Sequence, residues 1–285
     1  MTETYIGTKL LEITDVLNDV SFPVFVQYPT SETSSPTFFG PYLMDVCTDA
    51  KIINKVFPLV IISHGDGGSY LLYRSISTYL AKNGYIVALL EHYGNNRNNN
   101  ELSQSIKNLQ YRPRHVSLTI DYMLSDNFFK DTIKKDRISI IGHSFGGYTA
   151  LALAGGIPWT RDGQKVLTQT DDRIHSLVLM APAAAYFIPE NSLQNVKIPI
   201  LLLIGERDLI TPRYLTEVLI KNGVQDRSMI EVVMIENAGH FSFLSPFPSE
   251  MRSPTFLPSM DPDGFDREAF HKVLPKIILE FLVSR

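Results

Sequence analysis

The sequence has little of what three classes of protein depend on, namely cysteine, long apolar runs and surplus positive charge. Its single cysteine, Cys47, has no partner for an internal disulfide and no second thiolate with which to hold a metal. No uncharged stretch approaches the length of about 20 apolar residues that a membrane span needs, and residues 1–5 carry neither a basic nor an apolar leader segment. We therefore expect a cytoplasmic protein with no membrane span.

The charge balance argues against nucleic acid as a partner. The chain has 26 Lys and Arg against 30 Asp and Glu, which gives a net charge of -4 at pH 7 and no cationic surface for a phosphate backbone. Its histidines are scattered and form no HExxH-type pair, so we expect no metal and no cofactor. Because 44% of the residues are hydrophobic, the chain can bury a large core. A small molecule is the expected partner, and the oligomeric state stays open.

Short apolar runs rich in Val, Ile and Leu alternate with segments of helical period. The runs predict buried strands at 57–62, 85–90, 138–141, 177–180, 200–204 and 230–235. The helical segments are 70–82, 115–124, 145–154 and 212–222, followed by a closing helix at 266–283 that Pro275 kinks. This alternation predicts an α/β fold with a mostly parallel sheet and helices on both faces.

The N-terminal part lacks this alternation. Residues 8–13 and 21–28 predict two antiparallel strands at the edge of the sheet, and residues 30–37 predict a connecting loop. The asparagine cluster, made of Asn95, Asn96, Asn98, Asn99 and Asn100, predicts a surface loop. No break in composition divides the chain, so we expect a single domain over residues 1–285 without a large cap.

One segment has the pattern of a nucleophile elbow. Gly142-His-Ser144-Phe-Gly146 follows a predicted strand and precedes a predicted helix, which is the context that a Gly-x-Ser-x-Gly motif requires. The two glycines let neighbouring backbones approach where a β-carbon would clash, and the sharp turn exposes the serine hydroxyl. We predict Ser144 as the nucleophile and the Phe145 N–H as a donor of the oxyanion hole.

A serine hydroxyl is a weak nucleophile and needs a base that a carboxylate orients. Asp208 lies in a loop after the strand at 200–204, and His240 lies in a loop after the strand at 230–235. We therefore predict His240 as the general base and Asp208 as the orienting acid, with Glu206 as the alternative acid.

The loop at 63–69 follows the first long strand and is placed to supply the second oxyanion donor. We predict that donor to be the Asp66 N–H. A dinucleotide-binding loop would need glycine where Tyr70 stands. At about 5 Å and a dielectric near 20, the Asp66 carboxylate would oppose an oxyanion by roughly 3 kcal/mol, so we expect it to point away. It either caps the amides of Gly68 or Ser69, or faces a cationic group of the substrate.

The substrate pocket is the least defined part of the predicted site. Aromatic residues in the predicted loops that could line an acyl or alcohol pocket are Trp159, Tyr186, Phe187 and Phe241. Because no large cap insertion is visible, we expect a fairly open cleft.

Several motifs together resemble the α/β-hydrolase superfamily, and within it the dienelactone-hydrolase-like esterases that include relatives of platelet-activating-factor acetylhydrolase. They are FPLVIISHG at 57–65, GHSFGGY at 142–148, LIGERDLITP at 203–212, AGHF at 238–241 and GFDREAFH at 264–271. The resemblance implies an α/β-hydrolase fold over nearly the whole chain. Dienelactone hydrolases proper use a cysteine nucleophile, whereas the matching position here is Ser144, which favours a serine esterase.

The predicted function is cleavage of a small to medium-sized carboxylic ester through an acyl-enzyme on Ser144. Two alternatives stay open at this point. An amidase or a lactone-opening hydrolase uses the same three residues, and only the pocket and the leaving group distinguish it from an esterase. A non-catalytic ligand-binding member of the fold would keep the cleft without turnover.

Overall fold

A ten-stranded sheet runs through the computed structural model, which describes residues 4–285. Its strands are β1 (Tyr5–Asp15), β2 (Val20–Thr30), β3 (Ser35–Phe39), β4 (Tyr42–Thr48), β5 (Phe57–Ser63), β6 (Ile86–Leu90), β7 (Ile133–His143), β8 (Ile174–Met180), β9 (Ile200–Gly205) and β10 (Ile230–Ile235). They lie in the order β10-β9-β8-β7-β5-β6-β2-β1-β4-β3. From β10 to β6 every pair is parallel, so the predicted mostly parallel sheet is confirmed.

Helices cover both faces of this sheet, as predicted. They are α1 (Arg74–Lys82), α2 (Ile106–Ser125), α3 (Phe145–Leu153), α4 (Glu217–Gly223), α5 (Arg267–Phe270) and α6 (Leu274–Val283). One core cluster joins the sheet to apolar residues of α2, α3 and α4, and a second joins its other face to α1 and α6. Burial of the apolar stripe of each helix against the sheet therefore holds the layers together. No helix within residues 4–285 is long and apolar enough to cross a membrane.

Helix α2 begins nine residues before the start that the sequence pattern predicts, and it contains Pro113. A proline inside a helix donates no hydrogen bond to the carbonyl four residues earlier, which is that of Leu109. Here the Tyr148 hydroxyl donates to the Leu109 carbonyl at 2.9 Å instead. The packing of α3 on α2 thus compensates for the proline and lets the helix continue through it.

The N-terminal hairpin forms as predicted, but the sheet continues beyond it. Strands β1 and β2 pair antiparallel, and β1 also pairs parallel with β4, which carries β3 on its outer side. The predicted loop at 30–37 was wrong in part because its second half belongs to β3. Alternation in β4, where Tyr42, Met44 and Val46 are buried, is the signal that the prediction missed.

The predicted closing helix was wrong as a single element. Helix α5 ends at Phe270, and α6 begins at Leu274 with Pro275 in its first turn. The first amides of a helix have no intrahelical acceptor, so Pro275 fits there without losing a bond. The proline therefore starts a new helix where the sequence pattern suggested a kink in one.

The asparagine cluster is only partly a surface loop, which corrects the prediction. Asn95 and Asn96 are buried, at 0% and 9% exposure. Asn96 Oδ1 accepts hydrogen bonds from the amides of Asn98 and Asn99, both at 2.9 Å. The side chains of the cluster therefore fold its own backbone into a tight turn and leave Asn95 facing inward.

Candidate active site

Ser144 occupies a sharp turn between β7 and α3. Its φ of 53° and ψ of −118° are unusual for a residue with a side chain and are typical of a strained elbow. A β-carbon at Gly146 would lie 1.9 Å from the Ser63 carbonyl oxygen, and one at Gly142 would lie 2.3 Å from the Gly146 carbonyl oxygen. The expectation that glycine is needed at both positions for close backbone approach is confirmed.

The structure brings Ser144, His240 and Asp208 together from three different loops. His240 Nε2 lies 2.9 Å from Ser144 Oγ, and His240 Nδ1 lies 2.8 Å from Asp208 Oδ2. Because a carboxylate only accepts, Nδ1 carries the proton and donates to Asp208, which leaves Nε2 as the acceptor for the serine hydroxyl. Both the imidazole and the carboxylate are buried, so the arrangement is shielded from competing water.

The loop that follows β9 holds the Asp208 carboxylate in place. Its Oδ1 accepts from the amides of Ile210 and Thr211 at 2.8 and 2.9 Å, and its Oδ2 accepts from the Thr211 hydroxyl at 2.7 Å. Burial opposes ionisation, but the hydrogen bonds and charge of His240 and the hydrogen bonds of Thr211 outweigh it and lower the pKa of Asp208 to about 2. Glu206, the alternative acid, instead accepts a hydrogen bond from the Asn237 amide at 2.9 Å.

Both predicted oxyanion donors lie beside Ser144. Asp66, Ser144 and Phe145 line one cavity. Within the described residues 4–285, neither the Asp66 N–H nor the Phe145 N–H donates a hydrogen bond to a protein acceptor. Two amides without an internal partner beside a reactive hydroxyl form an arrangement that can accept a negatively charged oxygen.

The peptide between Gly65 and Asp66 is held through the Gly65 carbonyl, which accepts a hydrogen bond from His64. His64 Nε2 accepts from the His92 amide at 3.1 Å, so its Nδ1 carries the proton and donates to the Gly65 carbonyl at 2.7 Å. In a trans peptide the carbonyl and the following N–H point in opposite directions. Fixing the Gly65 carbonyl therefore fixes the direction of the Asp66 N–H.

The Asp66 carboxylate has different partners from those expected. It accepts from Asn95 Nδ2 at 2.7 Å and from the Ser103 hydroxyl at 3.3 Å. The Gly68 amide bonds to the Gly65 carbonyl at 3.2 Å, so the predicted cap of the Gly68 or Ser69 amide was wrong. The turn of the asparagine cluster places Asn95 Nδ2 within hydrogen-bonding distance of the Asp66 carboxylate, which binds it and not the Gly68 or Ser69 amide. Contact with a cationic substrate group stays a prediction.

Two cavities meet at Ser144. The smaller, of about 510 Å³, is lined by Phe241 together with His240 and an apolar wall. The larger, of about 760 Å³, is lined by Trp159 and Tyr186 among others. Phe187, the fourth predicted pocket residue, is only 2% exposed and packs its ring 5.7 Å from that of Tyr148, so it belongs to the core.

The lining of the smaller cavity includes residues that the sequence analysis missed. They are Tyr42, Leu72, Leu244, Phe247, Met251 and Phe256, which come from β4, the start of the first helical segment and the chain after His240. Local sequence gives no sign that these segments meet, because their contacts are long-range.

Known proteins share the fold that carries this site. A family model described as alpha/beta hydrolase fold matches residues 58–195. A ferulic acid esterase from Streptomyces cinnamoneus superposes with a TM-score of 0.77 over 99% of this chain and 90% of that chain, at 18% sequence identity. The protein has the α/β-hydrolase fold.

Sequence relatives of this chain include platelet-activating factor acetylhydrolases. The Bos taurus protein is 27% identical over 158 residues, which cover 40% of this chain and 36% of the relative. The Canis lupus familiaris protein is 27% identical over 190 residues, covering 50% of this chain and 42% of the relative. The chain thus matches less than half the length of these relatives.

A buried histidine inside the elbow motif joins two loops of the site. His143 Nε2 donates to the His240 carbonyl at 2.9 Å, so its Nδ1 accepts from the Tyr73 hydroxyl at 3.0 Å. The same hydroxyl accepts from the Gly65 amide at 3.2 Å. Burial lowers the pKa of His143 to about 3, which keeps it neutral and fixes the direction of each bond. The sequence analysis missed Tyr73.

No group of three or more His, Cys, Asp or Glu side chains in residues 4–285 is arranged to hold a metal ion.

Proposed function

We propose that this protein is a serine hydrolase that cleaves a carboxylic ester through an acyl-enzyme. The observation that carries the proposal is the continuous hydrogen-bonded series from Ser144 Oγ through His240 to Asp208, with distances of 2.9 and 2.8 Å. In this order the groups have the roles of nucleophile, general base and orienting acid. The two unpaired amides of Asp66 and Phe145 beside Ser144 support the role of an oxyanion hole.

The reaction follows from these positions. Ser144 Oγ attacks the ester carbonyl carbon while its proton passes to His240 Nε2, and the carbonyl oxygen takes the negative charge toward the Asp66 and Phe145 amides. The carbon–oxygen bond to the alcohol then breaks, and His240 returns the proton to the departing oxygen. Water, deprotonated by His240, attacks the acyl-Ser144, releases the acid and regenerates the hydroxyl. Asp208 stabilises the charged imidazole throughout.

The two cavities support a substrate of small to medium size. Their volumes of about 510 and 760 Å³ fall within the range of small-molecule sites, and both open beside Ser144. His240 lines the smaller cavity, so the alcohol that receives its proton belongs there, and the acyl group belongs in the larger one. The words "acetylhydrolase" and "esterase" in the names of the similar proteins support an ester over an amide.

We also propose that residues 1–285 form one domain without a large cap. The single sheet joins β1 at the start of the described chain to β10 near residue 235, which supports this division. The segments outside the alternating strands and helices, such as 155–173 and 245–264, are short.

The test is a hydrolysis screen across acyl length and across ester, lactone and amide substrates, run with the parent protein and Ser144→Ala. We expect turnover of esters by the parent and none above background by Ser144→Ala. Faster turnover of lactones or amides would replace the ester assignment. A fluorophosphonate should label the parent at Ser144, and a parent that binds substrates but is not labelled would point to a non-catalytic member of the fold.

A further inference from the structure

A fully buried arginine lies behind the oxyanion loop. Arg112 in α2 is 0% exposed, and no carboxylate within the described residues 4–285 forms an ion pair with it. Burial lowers its pKa to about 9, so the guanidinium stays charged at neutral pH. An unpaired buried charge stabilises a fold poorly, and an apolar side chain of the same volume often serves the core as well or better. Fold stability therefore does not account for Arg112, and the neutral groups that it contacts indicate another role.

Those groups belong to both halves of the predicted oxyanion hole. Arg112 Nη2 donates to the His64 carbonyl and lies 3.5 Å from Ser63 Oγ, on the loop that carries the Asp66 amide. Arg112 Nε donates to the Thr149 hydroxyl in α3 at 3.1 Å, one turn after Phe145. The guanidinium carbon also lies 4.8 Å from the centre of the Phe145 ring. The rigid guanidinium fork of Arg112 thus contacts both the loop that presents the Asp66 amide and helix α3, which presents the Phe145 amide.

A third contact reaches the Asp66 side chain through an asparagine. Arg112 Nη1 donates to Asn95 Oδ1 at 2.6 Å, and Asn95 Nδ2 donates to Asp66 Oδ1 at 2.7 Å. The side-chain oxygen of Asn95 thus accepts from the guanidinium while its nitrogen donates to the Asp66 carboxylate, so the two charges are linked through one side chain. This linkage holds the Asp66 carboxylate toward Asn95 and Arg112.

We infer that Arg112 is a positioning residue for the oxyanion hole, which sets the spacing of the Asp66 and Phe145 amides and, through Asn95, the direction of the Asp66 carboxylate. The inference rests on the proposed function. Loss of the fork moves the two amides relative to each other without removing either. A displacement of about 1 Å in such a site costs about 10²-fold in rate. The loss falls on kcat, because the amides bind the oxyanion more tightly than the ground-state carbonyl.

The experiment compares Arg112→Met, which keeps a long apolar side chain, with Arg112→Lys, which keeps the charge but not the fork. Active sites are first titrated with a fluorophosphonate, so that kcat is expressed per competent site and unfolded protein does not count. KM for a p-nitrophenyl ester and the inhibition constant of a trifluoromethyl ketone, which forms a tetrahedral oxyanion on the serine, are measured on the same samples.

Arg114→Met is the matched control. Arg114 lies on the same helix and makes a two-bond ion pair with Asp15, at 2.6 and 2.8 Å, away from the site. Its loss should lower thermal stability and leave kcat per site unchanged. It therefore reports what the loss of an arginine from α2 does to the fold alone.

We expect Arg112→Met to lose about 10²-fold in kcat and to weaken the trifluoromethyl ketone by a similar factor, with KM changed less than about threefold. Arg112→Lys should recover part of both losses. A kcat per titrated site within about twofold of the parent for Arg112→Met would overturn the inference, as would equal losses in Arg114→Met.

Thr149→Val decides the question if Arg112→Met does not fold. The substitution keeps the volume of the side chain and removes the acceptor of Arg112 Nε on α3, together with the bond from the Thr149 hydroxyl to the Phe145 carbonyl at 3.1 Å. We expect a loss of about three- to tenfold in kcat per site with the same weakening of the ketone, and no change in either would overturn the inference. Failure of the proposed function is distinguishable, since Ser144→Ala would then retain activity and the parent would not be labelled by the fluorophosphonate.

Discussion

The two sides of Ser144 are built in different ways. On the acid–base side, a single loop after β9 supplies Asp208 and most of the groups that hold its carboxylate, namely the Ile210 and Thr211 amides and the Thr211 hydroxyl. On the side of the proposed oxyanion hole, here called the oxyanion side, side chains from outside the loop at 63–69 hold it in place: Tyr73, Asn95, Arg112 and His143.

This difference shows why the two sides respond differently to change. A locally built group needs one short loop to fold correctly, and two of the partners of the Asp208 carboxylate are backbone amides that mutation does not remove. A group held from a distance depends on every element that contributes a contact, and each contact is a side chain. We therefore expect the acid–base side to fail through its own residues, and the oxyanion side to fail also through Asn95 and Arg112, which line neither cavity.

The largest expected effect on kcat comes from the loss of Ser144 Oγ, the atom that lies between the two sides. Removal of the attacking oxygen in Ser144→Ala should lower kcat on the order of 10⁶-fold, by comparison with serine proteases. The measurement is steady-state hydrolysis of the best ester from the screen, with the circular dichroism spectrum as the control for folding. A loss of less than about 10²-fold would assign the attack to another group.

The next effect tests whether the acid–base side is as local as it appears. Asp208→Asn should lower kcat about 10⁴-fold, because the amide favours the wrong imidazole tautomer. Glu206→Gln is the matched control, since Glu206 bonds to the Asn237 amide and should leave kcat within about twofold. The reverse ranking of the two variants would transfer the orienting role to Glu206.

Mild acid should destabilise the fold through its buried histidines. Burial lowers the pKa of His64, His115 and His143 to about 3. In the unfolded chain these histidines bind protons below a pH of about 6.5, whereas in the folded protein they stay neutral. Their contribution to stability is therefore intact above pH 6.5 and is lost as the pH falls from there toward 3.

Well below pH 6.5, unfolding should therefore take up about one proton for each of these three histidines, and the free energy of unfolding should fall as the pH falls. The measurement is urea denaturation at closely spaced pH values from 7 to 5. His115→Gln, which removes one of the three, should reduce the proton uptake on unfolding by about one. A flat free energy of unfolding between pH 6.5 and 5 would contradict the expectation.

The smallest effect concerns the carboxylate beside the oxyanion hole. Asp66→Asn keeps an oxygen that can accept from Asn95 and leaves the backbone amide in place. We expect kcat on neutral esters to change less than about threefold, because the linkage through Asn95 already holds the side chain. Asp66→Ala, which removes the linkage, should cost more. Loss of turnover in Asp66→Asn would mean that the carboxylate takes a direct part in the reaction.

The sequence predicts best what is local. The turn around Ser144 combines a strand, two glycines and a helix within a few residues, and the loops of Asp208 and His240 each follow an apolar strand. Since parallel strands end at one edge of a sheet, the position of each strand end already brings these loops toward one another. The five strands from β5 to β9 were predicted from continuous apolar runs, which mark central strands. The run at 230–235 predicted a buried strand as well, but β10 lies at the edge of the sheet and none of its residues is fully buried.

The features that the sequence did not predict depend on contacts between residues that lie far apart in the chain. The predicted helix began at residue 115, so Arg112 had no expected place. In the structure the helix runs through Pro113, and the Tyr148 hydroxyl on another helix donates to the Leu109 carbonyl that the proline leaves without its helical donor. Asn95 belongs to a polar run that is typical of a surface loop, and its burial follows from the charge of Arg112 behind it. Neither compensation leaves a mark in the neighbouring sequence.

The meeting of the two cavities at Ser144 has a practical consequence for enzyme engineering. Trp159 contacts the larger cavity and Phe247 the smaller, while the serine opens into both. Reshaping one wall therefore alters the recognition of one part of a substrate and leaves the opposite wall and the attacking oxygen in place. Libraries directed at the two walls are separate design problems, and improved variants from each should combine additively.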